Sequence, residues 1–240
     1  MKFEKTEVWG FEHAIRGMRN PLESWDKSDS HTHDAPCANC MHYNKDCTDH
    51  KLIANKCFYL GKNDLALMQK LIKAGSEHRK FLRQIMVSVD ITAPLYWWKE
   101  FDTYKIGTIA NSTSTMHKLA SKPITMDCFE MGDFEKVALS DGWSNTKYAW
   151  NKFIIPLLEE LRQIYITTKD KRYWKELVRL LPESWLQTRT ITMNYENILN
   201  MVHQRQNHKL TEWSVNFINW VKSLPYAKEL LCISLERGEK

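Results

Sequence analysis

From Asn63 onward, apolar residues recur at helical intervals. In NDLALMQKLIKAG, Leu65, Met68, Leu71 and Ile72 share one face, with Asn63 as the N-cap and Gly75 as the C-terminal stop. HRKFLRQIMVSVDI keeps that spacing through Phe81, Leu82, Ile85 and Met86, then changes to the alternation of Val87, Val89 and Ile91 before Pro94. The aromatic segment PLYWWKEFDTYKIG reads as a helix more than as a strand. Further helices are predicted from about 144 to 167, with Ile154, Ile155, Leu157, Leu158 and Leu161 as the apolar stripe, then over 172–182, 192–207 and 211–224. Residues 1–27 read as one compact element, a short helix stopped by Pro21. The hydroxyl-rich tract 109–117, IANSTSTMH, commits to neither period. The pattern predicts an α+β fold, helix-dominated with a small sheet and without internal repeats.

With 240 residues, 43% of them hydrophobic and 26% charged, the chain can bury a proper core. We expect a single domain over 1–240 carrying a Cys/His-rich insertion at about 28–58. Only 8 glycines occur, with no GxGxxG and no GxxxxGK[ST], so a phosphate cradle of successive glycine amides is not expected. Any nucleotide must be held by side chains. The balance of 34 Lys+Arg against 29 Asp+Glu gives a net charge of +5, which suits anionic small molecules and gives no strong nucleic-acid signal. The N-terminus MKFEKTEVWG has no apolar signal region, and no apolar run reaches the roughly 18 residues of a membrane span. A cytoplasmic protein is the expectation, with its six cysteines not in structural disulfides.

The most specific local motif is C-x2-C-x6-C-x9-C at Cys37, Cys40, Cys47 and Cys57. Four thiolates at such spacing can close a tetrahedral shell around structural zinc, with His31, His33, His42 and His50 as substitutes. The alternative is four unlinked thiols in a loop.

On the helix 192–207, Asn194, Ile198, Met201 and Arg205 lie on one face. An arginine continuing an apolar face needs an anion or a carboxylate, unless it reaches solvent at the helix end or pairs with Glu212. Arg179, among Leu177, Val178, Leu180 and Leu181, raises the same alternative of ion pair or phosphate ligand. The cluster His78, Arg79, Lys80 and Arg83 reads as a solvated basic face, and Tyr96, Trp97, Trp98 and Phe101 as core. No Ser/His/Asp or Cys/His triad is evident.

The C-terminal third, LVRLLPESWLQTRTITMNYENILNMVHQRQNHKLTEWSV, resembles the closing region of the flavin-dependent thymidylate synthases. The likeness rests on Arg179 before Leu181-Pro182, on Thr192-Met193-Asn194, on Arg205 closing Val202-His203-Gln204-Arg205, and on Trp213. Upstream, LMQKLIKAGSEHRKF and ITAPLYWWKEF are similar to family segments, so the resemblance spans roughly residues 60–225. It implies an α/β fold with a helical part, a homotetramer, bound FAD and a pyrimidine nucleotide, and a folate one-carbon donor. Arg205 would then polarise the pyrimidine as the catalytic residue. Arg179, Lys105, Ser112, Thr113, Ser114 and Thr115 would hold the nucleotide, and Asn194, His78 and Thr108 would face the flavin. The family's arginine-rich signature falls on Thr103 to Thr115, TYKIGTIANSTST, where Lys105 is the one basic residue. A threonine or a lone lysine does not reproduce a bidentate guanidinium grip on phosphate.

The expected function is therefore that of a diverged flavin-dependent thymidylate synthase-like methyltransferase acting on a deoxyuridylate-like nucleotide. The alternatives are a non-catalytic nucleotide-binding module on the same fold and a zinc-clipped helical interaction protein.

Overall fold

A computed structural model of the protein describes residues 1–34, 50–53, 56–132 and 145–233. In chain order, β1 (Lys2–Trp9) enters α1 (Phe11–Arg19), and three short strands follow: β2 (His31–Asp34), β3 (His50–Ile53) and β4 (Lys56–Tyr59). Then come α2 (Lys62–Lys73), β5 (Met86–Pro94), α3 (Leu95–Phe101), β6 (Ile109–Ser112) and α4 (Thr115–Lys118). The last part comprises α5 (Thr146–Ala149), α6 (Ile155–Thr168), α7 (Lys171–Leu180), β7 (Leu186–Asn194), α8 (Tyr195–Arg205), α9 (Ile218–Ser223) and α10 (Ala227–Leu230). The fold is the helix-dominated α+β class that the apolar periods predict. No helix among the described residues is long and apolar enough to cross a membrane.

One sheet runs β1-β5-β7-β6 and the other β2-β4-β3. Alternation in β5 buries Val87, Val89, Ile91 and Ala93, while β7 buries Gln187, Ile191 and Met193. Between these buried positions the two strands pair polar side chains: Thr92 with Thr188 at 2.7 Å, and the Thr190 hydroxyl donating to Asp90 at 2.6 Å.

The chain forms two compact units, each built from separate stretches of sequence. One contains Met1–Lys2, Ile91–Thr103 and Asn111–Arg189; the other contains Phe3–Asp90, Tyr104–Ala110 and Thr190–Lys240. Neither begins or ends at a linker, which is why the sequence reads as one domain.

The first unit is centred on Leu119, Ile124, Phe129, Leu158 and Leu177. α6 and α7 pack as a hairpin: Lys169 turns with φ 57°, and the Asp170 carboxylate accepts from the Arg172 amide at 2.9 Å to cap α7. Glu159 on α6 is gripped from several sides. Arg162 meets it with Nε at 2.7 Å and Nη2 at 2.6 Å, Gln163 at 2.7 Å, and the Ile124 amide at 2.8 Å. The Arg162 hydrogen bonds lead in lowering the Glu159 carboxyl to about 2.

In the second unit Phe11 meets Phe58, Tyr195 and Tyr226, with centroids 5.3 to 5.6 Å apart. α1 starts at Gly10 with φ +94°, and a Cβ there would stand 2.1 Å from the Gln84 carbonyl oxygen. Arg19 and Asp64 form a buried pair at 2.7 Å, exposed 4% and 0% at their side chains. The other Asp64 oxygen accepts from the Ser28 and Ser30 hydroxyls and the amides of Asp29 and Ser30. Burial alone would raise that carboxyl; the bonds from Ser30, Ser28 and Arg19 outweigh it and hold it below the usual range.

Several local expectations change. Residues 1–27 contain a strand before the helix, because β1 finds a partner strand that no local pattern announces. Within 28–58, expected as a loop, β4 pairs antiparallel with both β2 and β3 and buries Cys57 and Phe58. α2 is capped at Gly61 and not at Asn63; the Asp29 carboxylate, distant in sequence, accepts from the Asn63 and Asp64 amides at 2.9 and 3.1 Å. The hydroxyl tract supplies β6, and the expected helix 192–207 is divided at Asn194 into β7 and α8.

Candidate functional site

Arg205 closes α8 and is half-buried. Its Nε donates to the Tyr104 hydroxyl at 2.8 Å, and that hydroxyl donates onward to Gln204 Oε1 at 2.9 Å. The guanidinium carbon lies 4.9 Å from the Trp213 ring centroid and 5.5 Å from that of Tyr104. Two π-faces around one guanidinium stabilise it by roughly 0.5–2 kcal/mol each and fix its plane.

Tyr104 begins a short loop, residues 104–108, that is tied to the start of α8. Asn197 Nδ2 donates to the Ile106 carbonyl at 2.8 Å, and Gly107, with φ +77°, lies where a Cβ would stand 3.0 Å from Asn197 Oδ1 and 3.1 Å from Asn194 Nδ2. Asn194 is the α8 N-cap: its Oδ1 accepts from the Asn197 amide at 3.0 Å, and Asn197 Oδ1 accepts from the Asn194 amide at 3.2 Å. This reciprocal box leaves the Asn194 amide group with both N–H donors lacking an acceptor among the described residues. Thr108 donates its hydroxyl to the Tyr104 carbonyl. Lys105 is exposed on the same loop. His78 is exposed along an open groove of 580 Å³ with Asn20, Glu77, Lys80 and Gln84.

The other expected nucleotide-binding residues belong to the first unit. Ser112 ends β6. The Thr113 amide donates to the Thr188 carbonyl at 2.9 Å, Ser114 Oγ caps α4 by accepting from the His117 amide at 3.2 Å, and Thr115 Oγ1 accepts from Gln187 at 3.3 Å. Arg179 is 60% exposed and pairs with Glu176 at 3.0 Å, one turn back on α7. The basic cluster is partly internal: Arg79 and Arg83 both meet the Glu196 carboxylate, and Arg79 also reaches Asn200 at 2.9 Å.

Cys37, Cys40 and Cys47 lie outside the described residues, as does His42. Cys57 is on β4, 5% exposed, and His31 and His33 stand together on β2 with ring centroids 4.7 Å apart. Among the described residues no group of three or more His, Cys, Asp or Glu could hold a metal ion.

Two features escaped the sequence reading. Tyr104 lies in a segment weighed there for its arginines, so its role as the Arg205 partner has no local signal beyond being aromatic. Arg189 is hidden in the alternation of β7. It stacks 4.3 Å above the Trp98 ring, donates to Asp102 at 2.7 Å and Gln187 at 2.9 Å, and so orients the Gln187 side chain that holds Thr113 and Thr115.

No protein-family model matches this chain, and no curated protein matches it. Solved structures do. A crystal structure of the flavin-dependent thymidylate synthase ThyX from Helicobacter pylori, complexed with FAD and dUMP, aligns with a TM-score of 0.62 over 96% of this chain and 98% of its own, at 16% identity. A second structure of the Helicobacter pylori enzyme with FAD and dUMP aligns at 0.64, over 98% and 100%, also at 16% identity. The chain therefore shares the fold of these thymidylate synthase ThyX structures over 96–98% of its length.

Proposed function

We propose that this chain is a diverged flavin-dependent thymidylate synthase-like protein that acts on a deoxyuridylate-like nucleotide by reductive one-carbon transfer to the pyrimidine. The observation that carries the reading is the setting of Arg205, a half-buried cation resting against the edge-to-face pair Tyr104 and Trp213 at the end of α8, on a fold whose neighbours bind dUMP. Attack from pyrimidine C5 on a one-carbon donor is helped when negative charge can build on the ring oxygen and nitrogen. A fixed guanidinium with N–H donors facing that edge stabilises this charge without reorganising.

Two kinds of donor support flavin binding. The Asn194 amide suits carbonyl oxygens of an isoalloxazine ring, and Lys105 and His78 suit phosphate oxygens. A bound flavin would supply the hydride that reduces the transferred carbon. With Lys105 in place of an arginine cluster, the dinucleotide is held weakly and added FAD is needed to saturate it. Arg179 and the hydroxyls of Ser112, Thr113, Ser114 and Thr115 keep the nucleotide-phosphate role that the resemblance gives them. A folate one-carbon donor, homotetrameric assembly and a cytoplasmic setting complete the proposal.

The test is an absorbance spectrum of the purified chain with and without added FAD, together with thermal unfolding in dUMP. Flavin bands and a dUMP-dependent rise in Tm, both lost in Arg205→Ala or Asn194→Asp, support the reading. A chain that binds neither FAD nor dUMP sinks it.

A second reading, a nucleotide-binding module without redox chemistry, is favoured by Arg179. That guanidinium is engaged by Glu176, and no arginine occurs in 103–115 to replace it. Stabilisation by dUMP in a protein that takes up no FAD selects this alternative.

A further inference from the structure

A cavity of 510 Å³ opens in the first unit beside β5 and β7 and contains none of the catalytic, nucleotide or flavin residues that the family resemblance implies. Its size falls within the roughly 300–1,000 Å³ of small-molecule sites. Lys2, Lys118 and Lys122 line it, all exposed, and none forms an ion pair with a described carboxylate. Asp127 is the one carboxylate in the described lining; the Met1 ammonium, also in the wall, is already paired with Glu130 at 3.0 Å, which leaves three lysines against one opposing charge. The apolar part of the wall is aromatic. Phe129 and Trp185 sit with ring centroids 5.5 Å apart and planes at 79°, fixed by a backbone bridge between the two residues. Phe129 is 4% exposed and Trp185 half-buried.

We propose that this cavity binds a phosphorylated nucleotide, with the base against Trp185 and the phosphates among Lys2, Lys118 and Lys122. Lysines around one opening, with no ion pair among the described residues, repel each other, and a polyanion removes that repulsion. Ammonium groups on flexible stems gather phosphate oxygens as point charges. The half-buried Trp185 ring, braced from behind by the buried Phe129, offers a flat ligand an aromatic surface that a phosphate alone cannot use. Arg205 takes no part, so the proposal stands or falls separately from the synthase-like reading.

Cys128 is part of the cavity wall and is half-buried, giving a reporter in place. Alkylation of the Cys128 peptide, followed by mass spectrometry on the full chain, should slow when ATP is added. Adenosine and inorganic phosphate should each need about tenfold more or worse, and tripolyphosphate should protect less well than ATP, because base and phosphate contribute together. The Lys118→Gln/Lys122→Gln double variant should raise the half-protecting ATP concentration by about tenfold, and Asp127→Asn should lower it, through loss and gain of net positive charge. Arg205→Ala should leave Cys128 protection unchanged. An unaltered alkylation rate in ATP, equal protection of the double-lysine variant, or tripolyphosphate matching ATP would overturn the proposal.

Discussion

Arg205 and Tyr104 hold each other: the guanidinium donates to the phenol oxygen at 2.8 Å while lying over the phenol ring. A side chain from a loop thereby sets the direction of a cation on a helix a hundred residues later. Tyr104→Phe removes the oxygen and keeps the ring. It should cost about 1 kcal/mol of stability and weaken dUMP stabilisation, whereas Arg205→Lys should not restore the wild-type response, since an ammonium lacks the planar fork. Thermal unfolding with and without dUMP reads both effects. An unchanged dUMP response in Arg205→Lys would count against a guanidinium-specific role.

Asn194 separates two roles that usually confuse each other. Its oxygen caps α8, and its amide N–H groups meet no acceptor among the described residues. Asn194→Asp retains an equally good capping oxygen but removes both donors, so stability should change by less than about 0.5 kcal/mol. Loss of FAD binding in a variant with unchanged urea midpoint identifies the donors as ligand-binding; equal FAD affinity in the variant refutes that role.

The Arg19–Asp64 pair makes a stability prediction. Asp64→Asn leaves a buried guanidinium without its counter-charge and should cost about 3–5 kcal/mol, measured by urea unfolding. Because the folded Asp64 carboxyl lies below 3.8, its contribution is fully present above that pH and is lost as pH falls through the folded value.

Glu159 gives a second acid-sensitive contact. Its carboxyl titrates at about 2 in the folded protein against 4.5 ordinarily, so the stabilisation it adds is complete above 4.5 and declines between about 4.5 and 2. Glu159→Gln should flatten the acid limb of the stability curve in that window. The same variant should also lower Tm at pH 7, since the bidentate Arg162 contact is weakened.

Gly10 is fixed by space as well as by φ. Gly10→Ala would place a methyl 2.1 Å from the Gln84 carbonyl oxygen at φ +94°, which should cost at least about 2 kcal/mol. Chemical denaturation checks it, and an unchanged midpoint would show that α1 can enter by another turn.

The sequence carried the helices well because their signal is local. Leu158 and Leu177 lie on stripes readable from spacing alone, and both end in the core of their unit. It carried strands poorly: β1 and β4 are short or polar, and β7, LQTRTITMN, alternates visibly, yet its last three residues also fit the helical spacing of 192–207. Strand pairing depends on a partner distant in the chain, so the same residues read alone have no reason to extend. Of the candidate site, Arg205 and Asn194 were legible through a motif. Their surroundings were not, and motifs could not reveal that Arg179 is paired with Glu176 or that Asn194 already caps a helix.

The residues alone determined the helical stripes, the scarcity of glycine that rules out an amide cradle for phosphate, and the single lysine in the arginine-poor segment 103–115. Tertiary structure alone decided which charged and polar groups meet one another. Coulomb energy and desolvation depend on distances of a few ångströms between groups as far apart in sequence as Arg19 and Asp64 or Tyr104 and Arg205, and no one-dimensional pattern contains those distances.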